Sequence, residues 1–101
     1  MASEILKQEL ELVRKTVLEN LRGYRARVYL FGSQATGRAR LHSDIDIAIL
    51  PLQPIPSLTL FKIRETLEES EVVRHVDVVD LSETDEVFRK RVEKEGILWK
   101  E

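Results

Sequence analysis

Apolar residues follow two alternating rhythms along this chain. Leu6, Leu10, Val13, Val17 and Leu21 recur three or four positions apart, with Glu, Lys and Arg between them. That spacing marks one buried face of a helix of about five turns, and Gly23 suits its C-terminal cap. Val28-Tyr29-Leu30-Phe31 is β-branched and aromatic and too short for a helix, so it predicts a buried strand ended by Gly32. Ser33 to Ala39 predicts a turn with one or two turns of helix, limited by Gly37. Asp44-Ile45-Asp46-Ile47-Ala48-Ile49-Leu50 predicts a second strand, and Pro51, Pro54 and Pro56 an extended connection. Ser57 is placed to cap a helix reaching about Glu69, burying Leu60, Ile63 and Leu67. Val76 to Leu81 predicts the third strand. Ser82 then opens a last helix with Asp85 in capping-box-like register; it buries Phe88 and Val92 and stops before Gly96. The apolar tail Ile97-Leu98-Trp99 predicts an edge strand or a contact surface.

The predicted order is therefore α-β-α-β-α-β-α. An α+β fold, a small sheet with helices against it, is the economical way to bury these faces. The 101 residues suit a single domain, 1–101, with one core and no separate unit for a second substrate. A formal net charge of -2 gives no basic footprint, which argues against a nucleic-acid partner. With no cysteine, disulfides and thiolate metal sites are excluded. Met1 to Glu11 carries Glu4, Lys7, Glu9 and Glu11 and no apolar run of signal length. No later stretch could span a bilayer, so a cytoplasmic protein is expected.

Three features carry chemistry. The first is the strand end Leu30-Phe31-Gly32-Ser33. Gly32 lets a ligand approach the backbone closely. Ser33 either caps the short helix or offers its hydroxyl to a phosphate, and N–H groups at a helix start favour an anion. Taken alone, a plain strand-to-helix turn explains Gly-Ser equally well. The second is Asp44 and Asp46. Residues two apart on a strand share a face, so both carboxylates project together while Ile45, Ile47 and Ile49 enter the core. Their repulsion raises a pKa unless a cation lies between them, and Mg²⁺ takes one or two carboxylates plus substrate phosphates. The bland alternative is two solvated acids at a strand start. The third is Asp77, within the Val-rich third strand. An acid there is costly if buried alone and cheaper if it joins the same cation site. Asp80 competes, but has the opposite strand parity. An edge-strand acid facing water is the bland alternative for Asp77. Together these parts suit two-metal phosphoryl transfer, one ion activating an attacking hydroxyl and one holding the triphosphate.

Gly32-Ser33, ten residues, then Asp44-Ile45-Asp46, with Asp77 on a later strand, resembles the DNA polymerase β-type nucleotidyltransferase superfamily. The runs Phe31-Gly32-Ser33-Gln34-Ala35-Thr36-Gly37-Arg38-Ala39 and Ser43-Asp44-Ile45-Asp46-Ile47-Ala48 look like its stand-alone minimal members. Gln34 departs from the pattern, since many relatives carry Arg there. The resemblance implies a mixed, twisted polymerase β-like sheet, with Gly32 and Ser33 at the nucleotide. It implies two Mg²⁺ ions on Asp44, Asp46 and Asp77, and ATP as substrate. It also implies a partner: such members are similar to the antitoxins of toxin–antitoxin modules whose toxin is a helical ribonuclease of the HEPN class. There AMP is thought to pass to a toxin tyrosine.

Two rivals stand beside that expectation. One is a non-catalytic binding module that neutralises its partner by masking it. The other is nucleotidyl transfer to a small molecule, which needs an acceptor pocket that a chain of this length has little room to build. Self-association stays open. Arg38 and Arg40 could hold phosphates or stay solvated. His42 and His75 flank the acidic strands and are assigned no role. Trp99 is either core or partner surface.

Overall fold

The computed structural model describes residues 2–39 and 43–101, except the side chains of residues 2 and 3. Arg40 and His42 therefore lie outside the described residues. The element order is α1 (Ala2–Asn20), β1 (Ala26–Phe31), α2 (Ser33–Thr36), β2 (Ile45–Pro51), α3 (Ser57–Glu68), β3 (Val76–Asp80), a 3₁₀ turn (Leu81–Glu83), α4 (Glu86–Glu95) and β4 (Ile97–Lys100). The four strands form one mixed sheet in the order β3-β2-β1-β4. β1 runs antiparallel to both neighbours, and β3 lies parallel to β2 after the α3 crossover. The expected α+β layout holds, and the apolar tail becomes an edge strand.

Strand parity divides the core in two. Ile45, Ile47 and Ile49 are fully buried beneath α1 and α3, together with Val28, Leu30, Val78, Val13, Val17, Leu60, Ile63 and Leu67. Tyr29, Ala48 and Leu50 face the other way, under Val92 and Leu81, with Phe31, Val79 and Phe88 against them. Phe31 and Phe88 meet edge to face, 5.7 Å between centroids at 88°, a geometry that aromatic quadrupoles favour. Trp99 is half-buried and packs against the first cluster.

Two helix starts differ from expectation. Ser57 is the first residue of α3 rather than its cap. Pro56 occupies the cap position at φ -56, ψ 136, with no side-chain hydrogen bond. Ser82 does not open α4 either. It sits in the 3₁₀ turn, where its N–H donates to Asp80 Oδ1 at 2.9 Å and its hydroxyl to the same oxygen at 2.6 Å. Asp85 is the cap of α4, accepting from the Phe88 N–H at 2.7 Å. The physical reason is that Leu81 is buried as an anchor, which forces a tight turn before the chain can start a new helix. Asp85→Ala is expected to cost about 1 kcal/mol. That would appear as a drop of roughly 4–8 °C in a thermal melt.

Candidate functional site

The ends of β1, β2 and β3 line up at one corner of the sheet. Phe31 pairs with Asp46 in the β1–β2 register, and Asp46 pairs with Asp77 in the β2–β3 register. All three side chains share the face that α4 partly covers. Asp44 immediately precedes β2 and is exposed; Asp46 is half-buried. Asp46 thus lies between its neighbours, and its carboxyl is pushed above the ordinary 3.8, by burial first and then by the charges of Asp77 and Asp44, with His75 opposing.

Gly32 closes the corner. Its φ of 72 and ψ of -154 are open only to glycine in practice. A Cβ on Gly32 would run into Asp46 Oδ2. The glycine therefore lets the backbone lie against this carboxylate. Ser33 is the first residue of α2 and Gly32 occupies the cap position, so the cap role considered for Ser33 is not the one adopted. Gly37 ends α2 in the left-handed region, its N–H bonding back to the Ser33 carbonyl. Gln34 donates through Nε2 to the Ser43 carbonyl at 3.3 Å, linking the Gly-Ser turn to the residue before Asp44.

Asp77 is brought to Asp46, though not for the reason its sequence setting offered. It is exposed on the edge strand rather than buried, so no burial penalty demands a cation there. Its place rests on register alone. Asp80, the competitor, pairs with Ile49 and is occupied as the cap of the 3₁₀ turn. His75 sits one residue before β3; its carbonyl accepts from the Ile45 N–H at 2.9 Å, and its side chain offsets part of the charge around Asp46. Its position two residues before Asp77 was the signal for this proximity.

Beyond Gly32 a cleft of about 370 Å³ runs between α2 and α4. Phe31, Phe88 and Val92 line it with Ser33, Arg38, Arg91 and Glu95. It shares Phe31 and Gly32 with the acidic corner and places two arginines near the Gly-Ser turn. Among the described residues, no three acidic or histidine side chains stand close enough to hold a cation unaided. The donor set still fits a divalent ion: hard carboxylate oxygens on adjacent strands, with repulsion at Asp46 that a cation relieves. Mg²⁺ in such settings draws its remaining ligands from substrate phosphate and water. No helix among the described residues is long and apolar enough to cross a membrane.

The family model described as Polymerase beta, Nucleotidyltransferase matches residues 15–101. The chain is 35% identical over 91 residues to the Haemophilus influenzae protein named Probable protein adenylyltransferase MntA, covering 90% of this chain and 78% of that one. It is similar to a chain in the crystal structure of a toxin–antitoxin with AMP-PNP, at TM-score 0.66 and 28% identity, over 86% of this chain and 72% of the other. A structure of the tri-AMPylated Shewanella oneidensis HEPN toxin in complex with MNT antitoxin gives TM-score 0.64 and 25% identity, over 99% and 72%.

Proposed function

This chain belongs to the polymerase beta nucleotidyltransferase family, and from that premise we propose that it moves AMP from ATP onto a tyrosine hydroxyl of a helical, HEPN-type toxin encoded beside it. It would thereby act as the antitoxin of the pair, in the cytoplasm where ATP is available. The observation that carries this is the convergence of Gly32 and Asp77 on Asp46. The names of the similar proteins, an adenylyltransferase and an AMPylated HEPN toxin with its antitoxin, support the choice of AMP and of the partner.

The roles follow from position. Ser33, which follows the Gly32 cap as the first residue of α2, contacts the triphosphate, and the bare backbone of Gly32 lets it approach. Asp44, Asp46 and Asp77 would hold two Mg²⁺ ions, which supply charge neutralisation for the polyphosphate and its leaving group. Asp77, on the open edge, faces the acceptor and takes the proton of its hydroxyl. The acceptor oxygen bonds to the α-phosphorus, the bond from that phosphorus to the bridging oxygen breaks, and pyrophosphate leaves. Holding both reactants in line accounts for much of the rate in such reactions.

Incubation of the partner with chain, Mg²⁺ and ATP labelled at either the α- or the γ-phosphate tests the reaction type. Label from the α position should stay on the partner and label from the γ position should not. Retention of γ label would mean phosphoryl transfer. Retention of neither, with a stable silencing complex, would favour a masking module instead.

A further inference from the structure

Glu9 stands apart from the site and yet is wired to it. Among the described residues it is the one buried charge, at 6% exposure. It precedes residues 15–101, which the family model matches. Its carboxylate reaches from α1 to the connector between α3 and β3. There Oε2 accepts the Val73 N–H at 2.7 Å, and Oε1 pairs with Arg74 Nη1. Val73 is 91% exposed, so apolar burial does not hold this residue in place and the tether is polar. The residue after Arg74, His75, takes the Ile45 N–H on its carbonyl. Val76 and Asp77 then fall opposite Ile45 and Asp46.

We propose that Glu9 is a positioning residue for nucleotidyl transfer: by gripping the Val73–Arg74 backbone and side chain it fixes where β3 begins, and so holds Asp77 opposite Asp46. The inference rests on the function proposed above. A strand's side chains alternate faces, so slippage at its start turns Asp77 away from Asp46. Burying a carboxylate is costly unless it is paired and hydrogen-bonded, and Glu9 meets that condition only through this connector. ATP itself is held by Ser33, Asp44 and Asp46, none of which Glu9 touches. Its effect therefore falls on turnover rather than on nucleotide binding.

Two variants separate positioning from simple bulk support. Glu9→Gln keeps the reach and an acceptor oxygen for the Val73 N–H. Glu9→Asp keeps the charge but is one methylene short. Reach matters for positioning, so kcat should fall in the order wild type, Glu9→Gln, Glu9→Asp, the last by about tenfold or more. KM for ATP should stay within about twofold. Amide exchange, which needs no activity, should quicken at Ile45 in Glu9→Asp while Tyr29, opposite Ala48 in the β1–β2 ladder, stays protected. The reverse order of kcat, unchanged kcat in both variants, or a uniform rise in exchange across the sheet would overturn the proposal. If the wild-type chain transfers nothing to its partner, the proposed function fails, and the exchange pattern alone decides whether Glu9 sets the β3 start.

Discussion

Asp46→Asn is expected to lower nucleotidyl transfer about 10³-fold while leaving the metal-free chain as stable as the wild type or more so. The rate loss follows from removing the carboxylate at the centre of the site, where metal-assisted charge stabilisation amounts to several kcal/mol. The stability gain follows from electrostatics. Asp46 is raised above 3.8 by burial, then by Asp77 and Asp44, against His75. A raised carboxyl pKa means the folded chain binds that proton more tightly than the unfolded chain. Stability from this group is thus fully present below 3.8 and is lost as pH rises through the raised value. At neutral pH the ionised carboxylate works against the fold, and asparagine removes that penalty. Thermal melts without metal, from acid to neutral pH, should show the variant at or above wild type at neutral pH, the advantage shrinking toward acid pH. A large fall in melting temperature would mean that Asp46 supports the fold and that the loss of rate is secondary.

Gly32→Ala should damage both fold and activity. At φ 72 and ψ -154 an alanine carries about 1–3 kcal/mol of backbone strain. Its Cβ also meets Asp46 Oδ2 and lies 3.2 Å from Asp46 Cγ. Strain alone lowers the melting temperature by roughly 10 °C. Displacing the carboxylate lowers transfer by about 10²-fold, since small misplacements of reacting groups are expensive. Gly37→Ala separates the two causes. Gly37 sits at φ 77 and ψ 11, with no atom of the described residues within 4 Å of an added Cβ. That substitution costs about 1 kcal/mol and should leave most of the activity. Equal activity losses in the two variants would show that strain, rather than collision with Asp46, is responsible.

Much of this site was legible because it obeys strand alternation. Ile45, Ile47 and Ile49 are buried on one face, which forces Asp46 onto the other and leaves Asp44 beside it. Asp77 was legible by parity, but burial was the wrong reason for it, because β3 is an edge strand and the residue is exposed. Which strand takes the edge depends on sheet order, a long-range property that local pattern does not encode. The cap expected at Ser57 failed because Pro56 takes that position by its fixed backbone, and the one expected at Ser82 failed because the buried Leu81 holds Ser82 in the 3₁₀ turn and leaves the cap of α4 to Asp85. Glu9 enters the sequence pattern only as one of the charges between the apolar positions of the first helix. Its place four residues before Val13 and eight before Val17 put it on the buried row of α1. Its partners, Val73 and Arg74, are far along the chain, and nothing in the local sequence identifies them.

The most direct measurement is intact-mass spectrometry of the helical partner after incubation with this chain, ATP and Mg²⁺. A gain of one or more AMP units with the wild-type chain, absent with Asp46→Asn, is the expected result. An unchanged partner mass under the same conditions would contradict protein adenylylation by this site.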